Sequence, residues 1–161
     1  LFIGEVLVID EIKIDDIPVH SRIIREYLKD GNIKIANKLL GKEYKIYGHQ
    51  IKGQGLGTKS FVPTINLKIE EFLLPQEGVY VTKTILDDKE FNSITFLGHR
   101  ATTDGSYAVE THIIDENIKN SNYTTQIKFY EKLRDNKKFD SFEELKKQIL
   151  NDIETTRIYF K

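Results

Sequence analysis

The sequence contains no cysteine, which excludes disulfides and thiolate metal sites. It has no strong charge of either sign. A formal net charge of -1 and a pI near 6.5 leave no field able to hold nucleic acid nonspecifically. No apolar run approaches the roughly 20 residues that a membrane-spanning helix needs, so no membrane partner is expected. The four histidines, His20, His49, His99 and His112, include no i, i+4 pair and have no thiolate beside them, which argues against zinc. There is no internal repeat and no low-complexity tract. The start, Leu1-Phe2-Ile3-Gly4-Glu5, lacks an initiator Met and the basic n-region of a signal peptide. A cytoplasmic protein is therefore expected, and a chain that is a piece of a longer polypeptide.

What is present suits a folded domain. At 161 residues the length fits one domain, or one domain with an appendage. Nine Phe and eight Tyr supply enough large groups for a core without covalent staples. Residues 5–14 alternate loosely between aliphatic and polar and predict a strand, which Asp15-Asp16-Ile17-Pro18 breaks. A helix is predicted from about Arg22, with Ser21 as N-cap and Ile23, Ile24, Tyr27 and Leu28 as its apolar stripe; Gly31 stops it. A second helix runs from Asn32 to Gly41. After Gly41 six segments rich in Val, Ile, Tyr, Phe and Thr read as strands: about 44–51, 62–69, 78–87, 89–98, 107–114 and 124–134. Asp87-Asp88 reads as a tight hairpin turn. Six strands without helices between them imply an antiparallel sheet, and closing into a barrel removes its edges. Ser141-Phe142-Glu143-Glu144 is a capping box. In the helix it opens, Phe142, Leu145, Ile149 and Ile153 are expected to pack on the barrel.

Three constellations could carry chemistry. The first is Gly53-Gln54-Gly55-Leu56-Gly57 with Pro63-Thr64-Ile65-Asn66. Alternating glycines let a backbone approach a bulky anion, and Thr64 and Asn66, two apart on a strand, aim two oxygens the same way. That suits a magnesium–nucleotide complex; it equally suits a glycine turn feeding a half-buried strand. The second is Val109-Glu110-Thr111-His112-Ile113, where Glu110 and His112 share one strand face. A carboxylate there could act as a general base, or the pair could be ordinary surface. The third is the loop Gly98-His99-Arg100-Ala101-Thr102-Thr103-Asp104-Gly105, which could cover a ligand or be a plain hairpin loop.

In order along the chain, the Gly-rich loop, Pro63-Thr64-Ile65-Asn66, Leu74-Pro75 with Gly78-Val79-Tyr80, Val109-Glu110-Thr111-His112, and Leu133-Arg134-Asp135 with Lys138-Phe139-Asp140-Ser141 resemble the riboflavin kinase family. The similarity is closest to the kinase module of bacterial bifunctional riboflavin kinase/FAD synthetases. Val19-His20-Ser21-Arg22-Ile23-Ile24-Arg25, Gly31 and Asn37-Lys38-Leu39-Leu40-Gly41 resemble the end of their adenylyltransferase module. The resemblance implies a mainly β fold: a six-stranded antiparallel Greek-key barrel over 44–161 with a C-terminal helix. Residues 1–43 would be the strand–helix–helix remnant of an adenylyltransferase-like α/β domain.

The resemblance also implies transfer of the ATP γ-phosphoryl group to the terminal ribityl hydroxyl of riboflavin, giving FMN and ADP. Glu110 would be the base, and Thr64 and Asn66 would bind Mg²⁺. Gly53, Gly55, Gly57, Lys59, Pro63, Thr64, Asn66 and Arg134 would bind nucleotide or substrate, and an adenylyltransferase module of the same polypeptide would be the partner. The chain departs from the family pattern at Leu56 and Thr58, where Arg is frequent, at Phe61-Val62 for Gly-Phe, at Ile65 for Ala, and at Ala101 for Pro. The competing expectation is a noncatalytic flavin- or nucleotide-binding barrel with an altered phosphate flap.

Overall fold

A computed structural model describes residue 4 and residues 7–52, 62–100, 105–116 and 124–161. The chain begins with a two-residue hairpin, β1 (Lys13–Ile14) and β2 (Ile17–Pro18). Of the expected strand over 5–14, only the last two of the described residues are strand. Asp15 and Asp16, at φ 48° and 62°, turn the chain back on itself instead of ending the strand. Two successive positive φ angles are the signature of the tight hairpin turn whose twist matches its strands. Leu7, Val8 and Ile9 are exposed and have no strand beside them among the described residues.

Helix α1 spans Ser21–Lys29 and α2 spans Ile33–Leu40. The N-cap of α1 is His20, not Ser21, and its side chain makes no capping bond. Ser21 already has helical backbone, and its hydroxyl accepts from Arg25 one turn on. Gly41 ends α2 in the left-handed conformation at φ 67°, the usual place for a glycine. The two helices do not stand apart. Leu28, Ile33 and Ala36 share one core with Ile46, Tyr80, Ile127 and Phe129. Asn37 fastens them to the sheet, donating to the Phe129 carbonyl at 2.8 Å and accepting from the Tyr44 amide at 2.7 Å.

The rest is a closed six-stranded barrel: β3 (Tyr44–Ile51), β4 (Ile65–Lys68), β5 (Gly78–Leu86), β6 (Lys89–His99), β7 (Tyr107–Ile113) and β8 (Thr124–Arg134). Its strand order is β3-β4-β7-β6-β5-β8, every pairing antiparallel. The hairpin expected at Asp87-Asp88 joins β5 to β6, again with both residues at positive φ.

Side chains fill the barrel's interior. One part is apolar: Ile46, Tyr80, Leu97, Ile127 and Phe129 are fully buried, with Tyr80 and Phe129 edge to face at 5.4 Å. The other part is a cluster of hydroxyls. Thr82 bonds Ser93 and Thr95 at 2.8 Å, and Thr84 bonds Ser93 at 2.8 Å and Thr111 at 3.0 Å. Thr95 closes the ring onto Thr111 at 3.1 Å. Burying a hydroxyl without a partner is costly. Each hydroxyl can both donate and accept, so five of them satisfy one another.

Helix α3 spans Phe142–Tyr159. The serine half of the expected capping box is formed: Ser141 is the N-cap, and its side chain accepts from the Glu144 amide at 3.2 Å. Ile149 and Ile153 pack with Val62, Ile94 and Ile114 on the outside of β6 and the ends of β4 and β7. Phe142 departs from the expectation, being more than half exposed. It is the first residue of the helix, one turn ahead of the packed face. The helix is fixed by Arg134, the last residue of β8, whose guanidinium meets the buried Asp152 carboxylate.

Candidate functional site

Strand alternation decides which side chains leave the barrel. On β7, Val109, Thr111 and Ile113 are buried, while Glu110 and His112 are partly exposed. On β4, Ile65 pairs with the inward Thr111, and Asn66 pairs directly with Glu110. Residues opposite one another in an antiparallel pair share a face, so Asn66 and Glu110 stand side by side on the outer face of the barrel, Asn66 buried there and Glu110 partly exposed. Phe96 of β6 flanks Glu110 on its other side. Thr64 lies one residue before β4 and is half-buried.

The centre of this surface is Arg100, just beyond the end of β6. Its Nε donates to Glu110 Oε1 at 2.6 Å, its Nη2 to Asn66 Oδ1 at 2.8 Å and its Nη1 to Ser106 Oγ at 2.7 Å. One planar guanidinium therefore joins a hydroxyl just before β7 and a carboxylate within it to an amide on β4. The ion pair is largely shielded from water, with side-chain exposures of 18% for Arg100 and 24% for Glu110; a pair so placed is stronger than a freely solvated one.

His112 lies next along the same face. Its Nδ1 donates to the Pro63 carbonyl at 2.8 Å, which ties β7 to the segment leading into β4. Burial lowers the His112 pKa below the ordinary histidine value; the Pro63 carbonyl and Asp115 oppose that only in part, and Arg157 reinforces it. The imidazole is thus held neutral. Beyond it, Arg157 of α3 donates to Asp115 at 2.5 Å. Its guanidinium holds the Asp115 carboxyl below the usual range.

The sequence reading and the structure coincide in part. Asn66, Glu110 and His112 come together, and Pro63 enters through its carbonyl. Arg134 does not join them: it sits on β8, between β5 and β3 in the barrel order, with its guanidinium engaged by Asp152. Gly53, Gly55, Gly57 and Lys59, and most of the loop after Arg100, lie outside the described residues. Arg100 entered the sequence reading only as part of the loop 98–105, with no role of its own. The signal for it was slight: a lone arginine at the start of a polar loop following a strand.

Neutral oxygens on Thr64 and Asn66, beside a carboxylate, have the chemistry of a site that shares a divalent cation with phosphates. Among the described residues there is no cluster of three or more His, Cys, Asp or Glu able to hold a metal alone. Phosphate oxygens would have to complete the coordination.

Residues 40–160 match the family model described as Flavokinase: Riboflavin kinase. The bifunctional riboflavin kinase/FMN adenylyltransferase of Haemophilus influenzae is 35% identical over 144 residues, covering 88% of this chain and 47% of that protein. The enzyme of the same name from Escherichia coli K12 is 31% identical over 88% of this chain and 46% of its own length. The Bacillus subtilis one is 27% identical over 94% and 50%. The chain thus spans about half the length of the curated relatives it matches. A crystal structure described as a macrolide-efflux protein from Streptococcus pneumoniae superposes with a TM-score of 0.87 at 31% identity, covering 96% of this chain and 51% of that one. Efflux is that protein's description; among the described residues here, no helix is long and apolar enough to cross a membrane.

Proposed function

The chain belongs to the riboflavin kinase family, and from that premise we propose that it transfers the γ-phosphoryl group of ATP to the terminal ribityl hydroxyl of riboflavin, releasing FMN and ADP. The observation that carries this reading is the pairing of Glu110 with Asn66 across β4 and β7. It supports the reading because a carboxylate and a side-chain amide then lie next to each other on the outer face of a barrel with a filled interior.

In this reading Glu110 takes the proton of the attacking hydroxyl. Arg100 engages Oε1, so Oε2 is the atom for that task. Asn66 and Thr64 would hold Mg²⁺ together with the phosphates, and the ion, when bound, would supply charge neutralisation at the transferred group. Phosphoryl transfer is mainly positioning and charge stabilisation, and the sheet supplies the positioning through the fixed register of β4 and β7. Neutral His112 holds the approach to β4 through the Pro63 carbonyl. Gly53, Gly55, Gly57 and Lys59 belong to the proposed phosphate flap. Pro63 directs the chain from that flap into the metal-binding pair.

Residues 1–43 are proposed as the end of an adenylyltransferase domain and 44–161 as the kinase barrel. The names and lengths of the relatives support a longer parent protein that also adenylylates FMN to FAD; a cytoplasmic location is part of the same proposal. The test is FMN formation by the purified chain supplied with riboflavin, ATP and Mg²⁺. Glu110→Gln should lower kcat by about 10²–10⁴-fold, the range for a single positioned base. Binding of riboflavin and ADP without any FMN formation would establish the noncatalytic barrel instead. Unchanged kcat in Glu110→Gln would remove the assigned base.

A further inference from the structure

We propose that Arg100 is a positioning residue for phosphoryl transfer, acting through the two groups it holds rather than by touching substrate. The inference rests on the roles assigned above to Glu110 and Asn66. A carboxylate and a side-chain amide both end in a loosely restrained torsion, so the backbone register alone does not aim their oxygens. Arg100 does. Its fork has fixed geometry, and it grips Glu110 Oε1 at 2.6 Å and Asn66 Oδ1 at 2.8 Å at the same time. A guanidinium only donates, so the atom of Asn66 that faces it must be the oxygen. That oxygen has a second lone pair left for a cation. The grip therefore sets both the direction of the base and the identity of the amide atom offered to metal.

The arginine is itself held. Its amide donates to the Ser106 carbonyl at 3.0 Å, and its carbonyl accepts from the Gly105 amide at 3.1 Å. Nη1 donates to Ser106 Oγ. Arg100 thus joins the two described ends of the β6–β7 connection to β4 and β7, and one side chain sets the aim of the two reacting-site groups. Its two site partners lie 10 and 34 residues away along the chain.

The experiment is a mutant cycle in the purified chain with Arg100→Gln, Arg100→Lys, Glu110→Gln, Asn66→Ala and the double variant Arg100→Gln/Glu110→Gln. Loss of aim predicts that Arg100→Gln lowers kcat by about 10–100-fold while the riboflavin KM moves less than about 3-fold. If Arg100 works through Glu110, the same change in the Glu110→Gln background should cost less than about 2-fold, since residues acting as a unit are non-additive.

Calorimetry with ADP gives a readout independent of turnover. Arg100→Gln should weaken ADP binding about 5–10-fold with Mg²⁺ present and leave it unchanged in EDTA, as Asn66→Ala should. Arg100→Lys keeps the charge but loses the fork, and should fall between the parent and Arg100→Gln; it also serves if the glutamine variant does not fold. An equal fold-loss in both backgrounds, or kcat and Mg²⁺-dependent ADP binding both unchanged, would overturn the proposal. Full activity of Glu110→Gln would instead sink the base assignment, and the ADP measurement would still judge Arg100 through Asn66.

Discussion

Arg134 and Asp152 meet as a two-pronged ion pair. The Arg134 Nε lies 3.0 Å and Nη2 2.8 Å from Asp152 Oδ2. The aspartate side chain is 5% exposed and the arginine 22%. Gln148, one turn earlier on α3, donates to Asp152 Oδ1 at 2.8 Å. The pair fastens the terminal helix to the last strand of the barrel.

Removing one partner strands a buried charge, which costs more than the pair itself contributes. Arg134→Leu should lower unfolding free energy by about 3–5 kcal/mol, read from urea denaturation. Arg134→Lys should lose less, because it keeps a charge but not the fork. The same variants separate a structural part from nucleotide contact. At a temperature where Arg134→Lys is fully folded, its KM for ATP should match the parent. A large rise in that KM would put the arginine at the nucleotide.

Gly98 sets up the start of the β6–β7 loop. It has φ 139°, and a Cβ there would come within 2.1 Å of Asn136 Nδ2 and 2.7 Å of Glu77 Oε2. Asn136 cannot simply yield, because it donates to the Leu97 carbonyl at 2.9 Å. Gly98→Ala should destabilise the fold by about 1–3 kcal/mol, the usual scale for a strained backbone position. Because Arg100 follows two residues later, FMN formation should fall even where circular dichroism shows the variant folded.

His112 introduces an acid-side sensitivity. Its folded pKa is lowered by burial, so at and above neutral pH it is uncharged in both folded and unfolded states and contributes nothing to pH dependence. As pH falls through about 6.5, the unfolded chain takes up this proton first, and stability declines. Urea unfolding between pH 8 and pH 5 should show the parent losing more stability than His112→Gln, with the other titrations common to both. Parallel curves would mean that the imidazole is not desolvated.

The hydroxyl ring inside the barrel should respond unevenly to substitution. Thr82→Val removes the partner of Ser93 and Thr95 while keeping the shape. It should cost about 1–3 kcal/mol, the penalty for leaving buried hydroxyls short of a bond. Replacing Thr82, Thr84, Ser93, Thr95 and Thr111 together with apolar residues should cost less than the sum of the five single changes. Equilibrium unfolding of the single and combined variants checks this.

Much of the barrel was legible because strand patterning and turn chemistry are local. Each of the six predicted strand segments matches an observed strand to within a few residues at its ends, and the Asp87-Asp88 turn and the Ser141 cap form as expected. The misses are also local in origin. Ser21 is a good capping residue, yet His20 takes the place because the chain leaves β2 already extended there. The aliphatic run before Lys13 reads as a strand, but a strand needs a neighbour, and none lies beside it among the described residues. Asn66 and Glu110 could be named separately, whereas their direct opposition depends on sheet register. Arg100 depends on that register twice over, since its partners adjoin only after β4 pairs with β7. The Arg134–Asp152 fork is similar: nothing in either residue's neighbourhood along the chain announces the other.

β4 has four residues, set between β3 with eight and β7 with seven. Its paired positions are few: His49 with Lys68, Gln50 with Leu67 and Ile51 with Asn66 on one side, Ile65 with Thr111 and Asn66 with Glu110 on the other. Closure of the barrel passes through this short stave. Within the barrel this seam is the strand whose backbone amides should exchange soonest with solvent deuterium, since local opening follows the least-paired stave. A ligand that grips Asn66 and Glu110 together works as a clasp on that seam. Occupying the site would slow exchange across β4 and β7 and bind the two ends of the cylinder wall to each other.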